Sequence, residues 1–141
     1  MPASDDHDRV YRNFRDVVNM APEEIEDWLE TEASRKVGFK RDGGESVGHA
    51  SGRRIVEILR TDTADLDGAD YAHMRKVIGF VRRHCAQGPH DEWRIPTSRW
   101  RYSLMNWGHD PLRGKGAGEL AMIRRRGAAA LKADATAETF L

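Results

Sequence analysis

Arg75, Lys76, Arg82 and Arg83 are the residues whose types and spacing best suit a chemical task in this chain. At about 100° per residue on a helix they share one sector of roughly 120°, with Gly79 at its centre. No acidic residue lies between Tyr71 and Gln87, so none of the four has a helix-stabilising partner within its own helix. A glycine among them lets a phosphate backbone come close. The face is therefore expected to contact DNA or RNA through backbone phosphates. The plainer reading is an ordinary solvated face balanced by the acidic second helix. Arg53 and Arg60, and the run Arg124-Arg125-Arg126, join the same set of nucleic-acid-binding candidates.

A second constellation is Gly44, Ser46 and His49. Ser46 opens a predicted helix just after Gly43-Gly44, where free backbone N–H groups and the helix dipole can hold an anion. The plainer reading is a loop glycine pair ahead of a tightly packed helix. Gly44-Glu45-Ser46-Val47-Gly48 also fits the G-x-S-x-G pattern of serine hydrolases, which works only where a buried strand turns sharply into a helix. Lys40-Arg41-Asp42-Gly43 cannot be such a strand, so Ser46 is expected to act as a cap and no catalytic residue is assigned. The six histidines show no ligand spacing with the single cysteine or with one another, so no metal and no cofactor are expected. His73 and His84 share a face with Val77 and Phe80 and are read as partly buried structural residues. Trp93, Trp100 and Trp107 recur every seven residues, the last two as packing residues ahead of base stacking.

These groups must be positioned by helices. The first is expected over Asp8 to Val18, with Val10, Phe14, Val17 and Val18 inward. The second starts at Pro22, with Met20 and Ile25 as a hydrophobic staple, although Ala21 is a poor cap. Glu32 to Val37 continues as a short helical turn. Gly38 to Glu45 is a loop. A helix over Ser46 to Arg60 presents Val47, Ile55, Ile58 and Leu59, with Gly48, Ser51 and Gly52 allowing a close backbone approach. The helix over Gly68 to Gln87 has Asp67 as cap, Asp70 at the third position and Gly88-Pro89 as its stop. Arg99 to Trp107 reads as a helix capped by Ser98, ahead of a strand alternative. Burial is expected for Trp28, Ile58, Ile78 and Val81. The fold class is thus all-α, a compact bundle of about five helices over 8–111. Residues 1–7 are expected to be disordered and 112–141 a flexible or marginally helical basic tail.

With 141 residues the chain can bury a core without covalent staples. Cys85 is the only cysteine, which suits a reducing compartment. No apolar run spans a membrane and Met1 to Asp8 is no signal peptide, so a cytoplasmic protein is expected, nucleoid-associated if it binds DNA. The formal net charge of zero hides an asymmetry. Residues 1–45 carry 12 acidic and 7 basic side chains, while 46–141 carry 11 and 16. Either the two halves meet partners of opposite sign or they complement one another within the molecule.

Several runs resemble the family called domain of unknown function 3140. They are Val17-Val18-Asn19-Met20 with Glu26-Asp27-Trp28-Leu29, Gly43 to His49, Ser51 to Val56, Asp70 to Val77, and Trp100 to Pro111. The likeness covers about Val10 to Leu112. Some members are labelled DNA-binding protein, so the resemblance implies nucleic-acid binding and supplies no catalytic residues. The expected function is that of a non-enzymatic accessory or regulatory protein binding nucleic acid. The alternatives are a protein-interaction module docking through its acidic second helix, and a small enzyme using Ser46, His49 and Arg53 on an anionic substrate.

Overall fold

Side-chain caps set where most of the helices begin. The computed structural model describes residues 2–38, 40, 44–89 and 94–113 and contains no strand among them. Its helices are α1 (Pro2–Val17), α2 (Pro22–Leu29), α3 (Glu32–Lys36), α4 (Val47–Leu59), α5 (Gly68–Gln87) and α6 (Arg99–Asn106). Thr31 Oγ1 accepts from the Ser34 N–H, Ser46 Oγ from the His49 N–H, and Ser98 Oγ from the Arg101 N–H. Asp67 and Asp70 exchange bonds reciprocally at the start of α5, 2.9 and 3.1 Å long. Ala21 has no side-chain acceptor, as expected, yet α2 still begins at Pro22, whose ring fixes a helical φ and which leaves one fewer unpaired N–H in the first turn. The Glu24 carboxylate accepts the Ala21 N–H at 2.8 Å.

The all-α architecture expected from periodicity is the one observed. The stretch over Arg99 to Asn106 is helical rather than extended. α1 packs along α5, α2 packs along α4, and α6 touches α2, α3, α4 and α5. Phe14, Ile25, Ile55, Met74, Val77, Ile95 and Leu104 are fully enclosed between these layers. Ile58, Ile78 and Val81 are buried as expected.

Three expectations need correction. Val47, placed on the apolar face of α4, is the first residue of that helix and is exposed; the inward face is Gly48, Ser51, Gly52, Ile55, Val56 and Ile58. Trp28 is half-buried, since its indole N–H is drawn to Asn106 while its ring lies 5.2 Å from that of Tyr102. α1 begins at Pro2, ahead of Asp8, and Asp6 and His7 both engage α5. Residues 114–141, which include Arg124, Arg125 and Arg126, lie outside the described residues, as do His90 and Trp93.

Two polar features lock the layers. The enclosed Asn106 amide accepts from Trp28 Nε1 at 2.7 Å and from Ser34 Oγ at 2.5 Å, and donates to the Ser34 carbonyl at 3.1 Å. Further along, the Asn19 side chain bonds the Asp110 backbone in both directions, at 3.0 and 2.8 Å. The Gly108 carbonyl accepts the Met20 N–H. Gly108 has φ +78°, and a Cβ there would meet Val18 at 3.0 Å, so the turn needs glycine on both counts.

The small residues of α4 are spatial necessities of the same kind. A Cβ at Gly52 would lie 2.7 Å from the Asn106 carbonyl oxygen and 2.8 Å from Leu29 Cδ2, whereas one at Gly79 meets nothing within 4 Å. Alanine therefore acts with opposite sign at the two helical sites. Gly52→Ala should destabilise by about 2–3 kcal/mol through overpacking. Gly79→Ala should stabilise by up to about 1 kcal/mol through helix propensity. Urea unfolding midpoints of both variants check this, and equal shifts would mean that α4 does not sit on α6 as described.

Candidate nucleic-acid interface

The outer face of α5 carries Lys76, Gly79, Arg82 and Arg83, all exposed. The three cations make no ion pair among the described residues. With open space over Gly79, a flat or ridged polyanion can lie against the helix backbone. Arg75, the fourth member of the expected sector, differs: its guanidinium donates to Asp6 of α1 at 2.5 Å. That hydrogen bond holds the Asp6 carboxyl below its usual range, against an opposing effect of burial, with Arg9 helping.

Arg53 and Arg60 do not join this face. They line a separate cleft of about 960 Å³ between α2 and α4, floored by Leu29 and Val56. Arg60 makes a two-pronged bond to Glu26, 2.6 and 2.8 Å long, and Arg53 does the same with Glu45. The acidic α2 thus lies against α4 and covers no part of the α5 cations. Glu24 of the same helix pairs with Arg113. Four cations of the basic half, Arg53, Arg60, Arg75 and Arg113, are matched to carboxylates of the acidic half. The charge asymmetry read from the sequence is, for these pairs, complementarity within one molecule.

Of the anion-site candidates Gly44, Ser46 and His49, Gly44 is exposed with nothing near its Cα. Ser46 is wholly buried and its hydroxyl oxygen serves the helix cap. The His49 ring bonds the Leu29 carbonyl through Nε2 at 2.9 Å and the Glu45 carboxylate through Nδ1. Glu45 therefore holds the place where an external anion was expected. Its pKa is lowered to about 2, chiefly by the Arg53 hydrogen bond, with burial opposing and His49 contributing. Sequence reasoning missed Glu45, although its four-residue spacing to His49 was a readable signal.

Trp100 and Trp107 are packing residues. Trp107 is buried and stacks on Phe80 at 4.3 Å; Phe80 in turn stacks on His84 at 4.4 Å, and the His73 ring lies 6.3 Å from Trp107. Trp100 is buried too, its indole N–H donated to the His84 carbonyl. No group of three or more metal-ligating side chains occurs among the described residues. None of the described helices is long and apolar enough to cross a membrane. Arg101 grips Asp110 with two bonds of 3.0 and 2.9 Å. Burial would raise the Asp110 carboxyl, but Arg101 and the Leu112 N–H outweigh it and hold the pKa low. The run Trp100 to Pro111 accordingly carries α6 and the turn after it, which meets the junction between α1 and α2 at Asn19 and Met20.

The family model described as Protein of unknown function (DUF3140) matches residues 13–105, in agreement with the resemblance carried by the sequence runs. No curated protein and no solved structure matches the chain.

His73 sits between α4 and α5 with its Nε2 2.9 Å from Ser51 Oγ. Burial first, then the neighbouring charges of Arg54 and Lys76, push its pKa down from 6.5 to about 4. Between those values the unfolded chain binds the extra proton and the fold does not. The stability that a neutral His73 contributes is complete above pH 6.5 and drains away as pH falls towards 4. Allowing for partial exposure, the loss should be about 2–3 kcal/mol. His73→Gln should flatten the stability profile between pH 4 and 6.5, measured by urea unfolding at each pH. An unchanged slope would show that another group titrates there.

Proposed function

We propose that this chain, which belongs to the family of proteins of unknown function matched over residues 13–105, is a non-enzymatic nucleic-acid-binding protein of the cytoplasm. It contacts backbone phosphates through the outer face of α5. One observation carries the reading: Lys76, Arg82 and Arg83 are exposed and unpaired among the described residues, while Arg53, Arg60 and Arg113 are each matched to a carboxylate of the same chain. Arg12, Arg15, Lys40 and Arg94 also lack an ion pair among the described residues, but Lys76, Arg82 and Arg83 stand together on one helix face beside an open glycine and so present a local preference for anions. Phosphate contacts of this type position a protein on nucleic acid without reading its bases.

The acidic α2 is a weaker docking surface than its composition suggested, because Glu23, Glu24 and Glu26 already face Arg60 and Arg113. Ser46, His49 and Arg53 likewise supply no reactive trio, since each is committed to the α4 N-terminus or to Glu45.

The test is a binding titration against labelled duplex DNA at several salt concentrations. Neutralising three phosphates should produce a log–log salt slope of about −2.7. Arg82→Glu with Arg83→Glu should weaken binding at least tenfold and equally for unrelated sequences. Arg53→Gln with Arg60→Gln, on the other side of α4, should leave affinity within about twofold. Absence of binding at low salt, or equal loss from both double variants, would remove α5 as the interface.

A further inference from the structure

Asp6 and His7 are adjacent residues of α1 that touch neighbouring parts of α5. The Asp6 carboxylate takes a hydrogen bond from Arg75, and the His7 imidazole lies flat on the Tyr71 ring, centroids 3.9 Å apart and planes within 5°. An anionic oxygen on a guanidinium beside a planar heteroaromatic ring stacked on tyrosine reproduces the two contacts by which a nucleotide binds: phosphate to arginine, base to aromatic face. We propose that Arg75 and Tyr71 form a nucleotide subsite for single-stranded nucleic acid, closed in the free protein by the chain's own Asp6 and His7. The proposal rests on the reading of α5 as a nucleic-acid-binding face.

Three features support it. Arg75 and Tyr71 stand at the same end of α5 as Lys76, so a strand whose phosphates follow Arg83, Arg82 and Lys76 arrives at them next. Asp70, the nearest acid on α5, is committed to Arg54 at 2.8 Å and to the Asp67 N–H, which limits its repulsion of a phosphate. The buried anchors of α1 are Val10 and Phe14, whereas Asp8 and Arg9 are exposed. Among the described residues, the turn bearing Asp6 and His7 is held by an exposed ion pair and by one ring contact, which covers the otherwise buried Tyr71, and such an attachment can open without global unfolding. Duplex DNA keeps its bases stacked inside and cannot fill the Tyr71 position, so the subsite separates single strands from duplex.

The experiment compares anisotropy titrations of a labelled oligothymidylate and a duplex of equal length. The proteins are the full chain, the variant Asp6→Asn with His7→Ala, and that variant with Tyr71→Leu added. Opening the latch should tighten single-strand binding about tenfold, raise duplex binding far less, and lose its effect when Tyr71 is replaced. If Tyr71→Leu does not fold, Arg75→Gln in the same background should abolish the gain instead. Equal gains on both nucleic acids, or a gain that survives loss of both Tyr71 and Arg75, would overturn the subsite. Wild-type binding left unchanged by opening the latch would overturn it too, while leaving the α5 interface standing. Failure of every variant to bind either nucleic acid would sink both.

Discussion

The Asn106 side chain is the contact on which the rest of the arrangement depends. It is enclosed, and an enclosed amide without partners costs about 1–3 kcal/mol for each group left unpaired. Its three bonds reach Trp28 at the end of α2 and both the hydroxyl and the carbonyl of Ser34 in α3. All three can form only when α2, α3 and α6 are in place together. Once they are, the Asn106 side chain lies against Gly48 and its carbonyl against Gly52, which fixes α4, and Trp107 is delivered to Phe80, which fixes α5. A purely apolar centre of this size would tolerate sliding. The directional amide does not, and the exposed face of α5 inherits its orientation from that constraint.

Charge is organised by the same economy of partners. Glu45 folds back over the start of α4 and takes both Arg53 and His49; Glu26 takes Arg60; Asp6 takes Arg75. Exposed pairs of this kind add little stability each. Their larger effect is to remove arginines from the list of groups available to a ligand, so that the formal neutrality of the chain coexists with a cluster of uncommitted cations on α5 among the described residues.

Much of this was legible in the sequence, for identifiable reasons. α5 announces its first residue through Asp67 and Asp70 and its last through Gly88-Pro89, and its inward face repeats at helical spacing. The serine caps of α4 and α6, and the small residues that let α4 approach another backbone, are equally local signals. Val47 misled because periodicity cannot tell the first turn of a helix from its middle. The pairings could not be read at all: Arg60 meets Glu26 across 34 residues and Arg75 meets Asp6 across 69, and sequence spacing carries no trace of either. That is why six of the nine cations assembled on paper into one set, those among the described residues, divide in space between α5 and the α2–α4 cleft.

The two-way bond between Asn19 and Asp110 joins positions 91 residues apart. A chain growing from its N-terminus makes α1 and the start of α2 early, but their junction has nothing to close on until the turn after α6 has left the ribosome. Nearly the whole domain must therefore be synthesised before its first connection is satisfied. Nascent α1 carries Val10 and Phe14 uncovered until α5, the helix it packs along, has been made, and its junction with α2 closes later still.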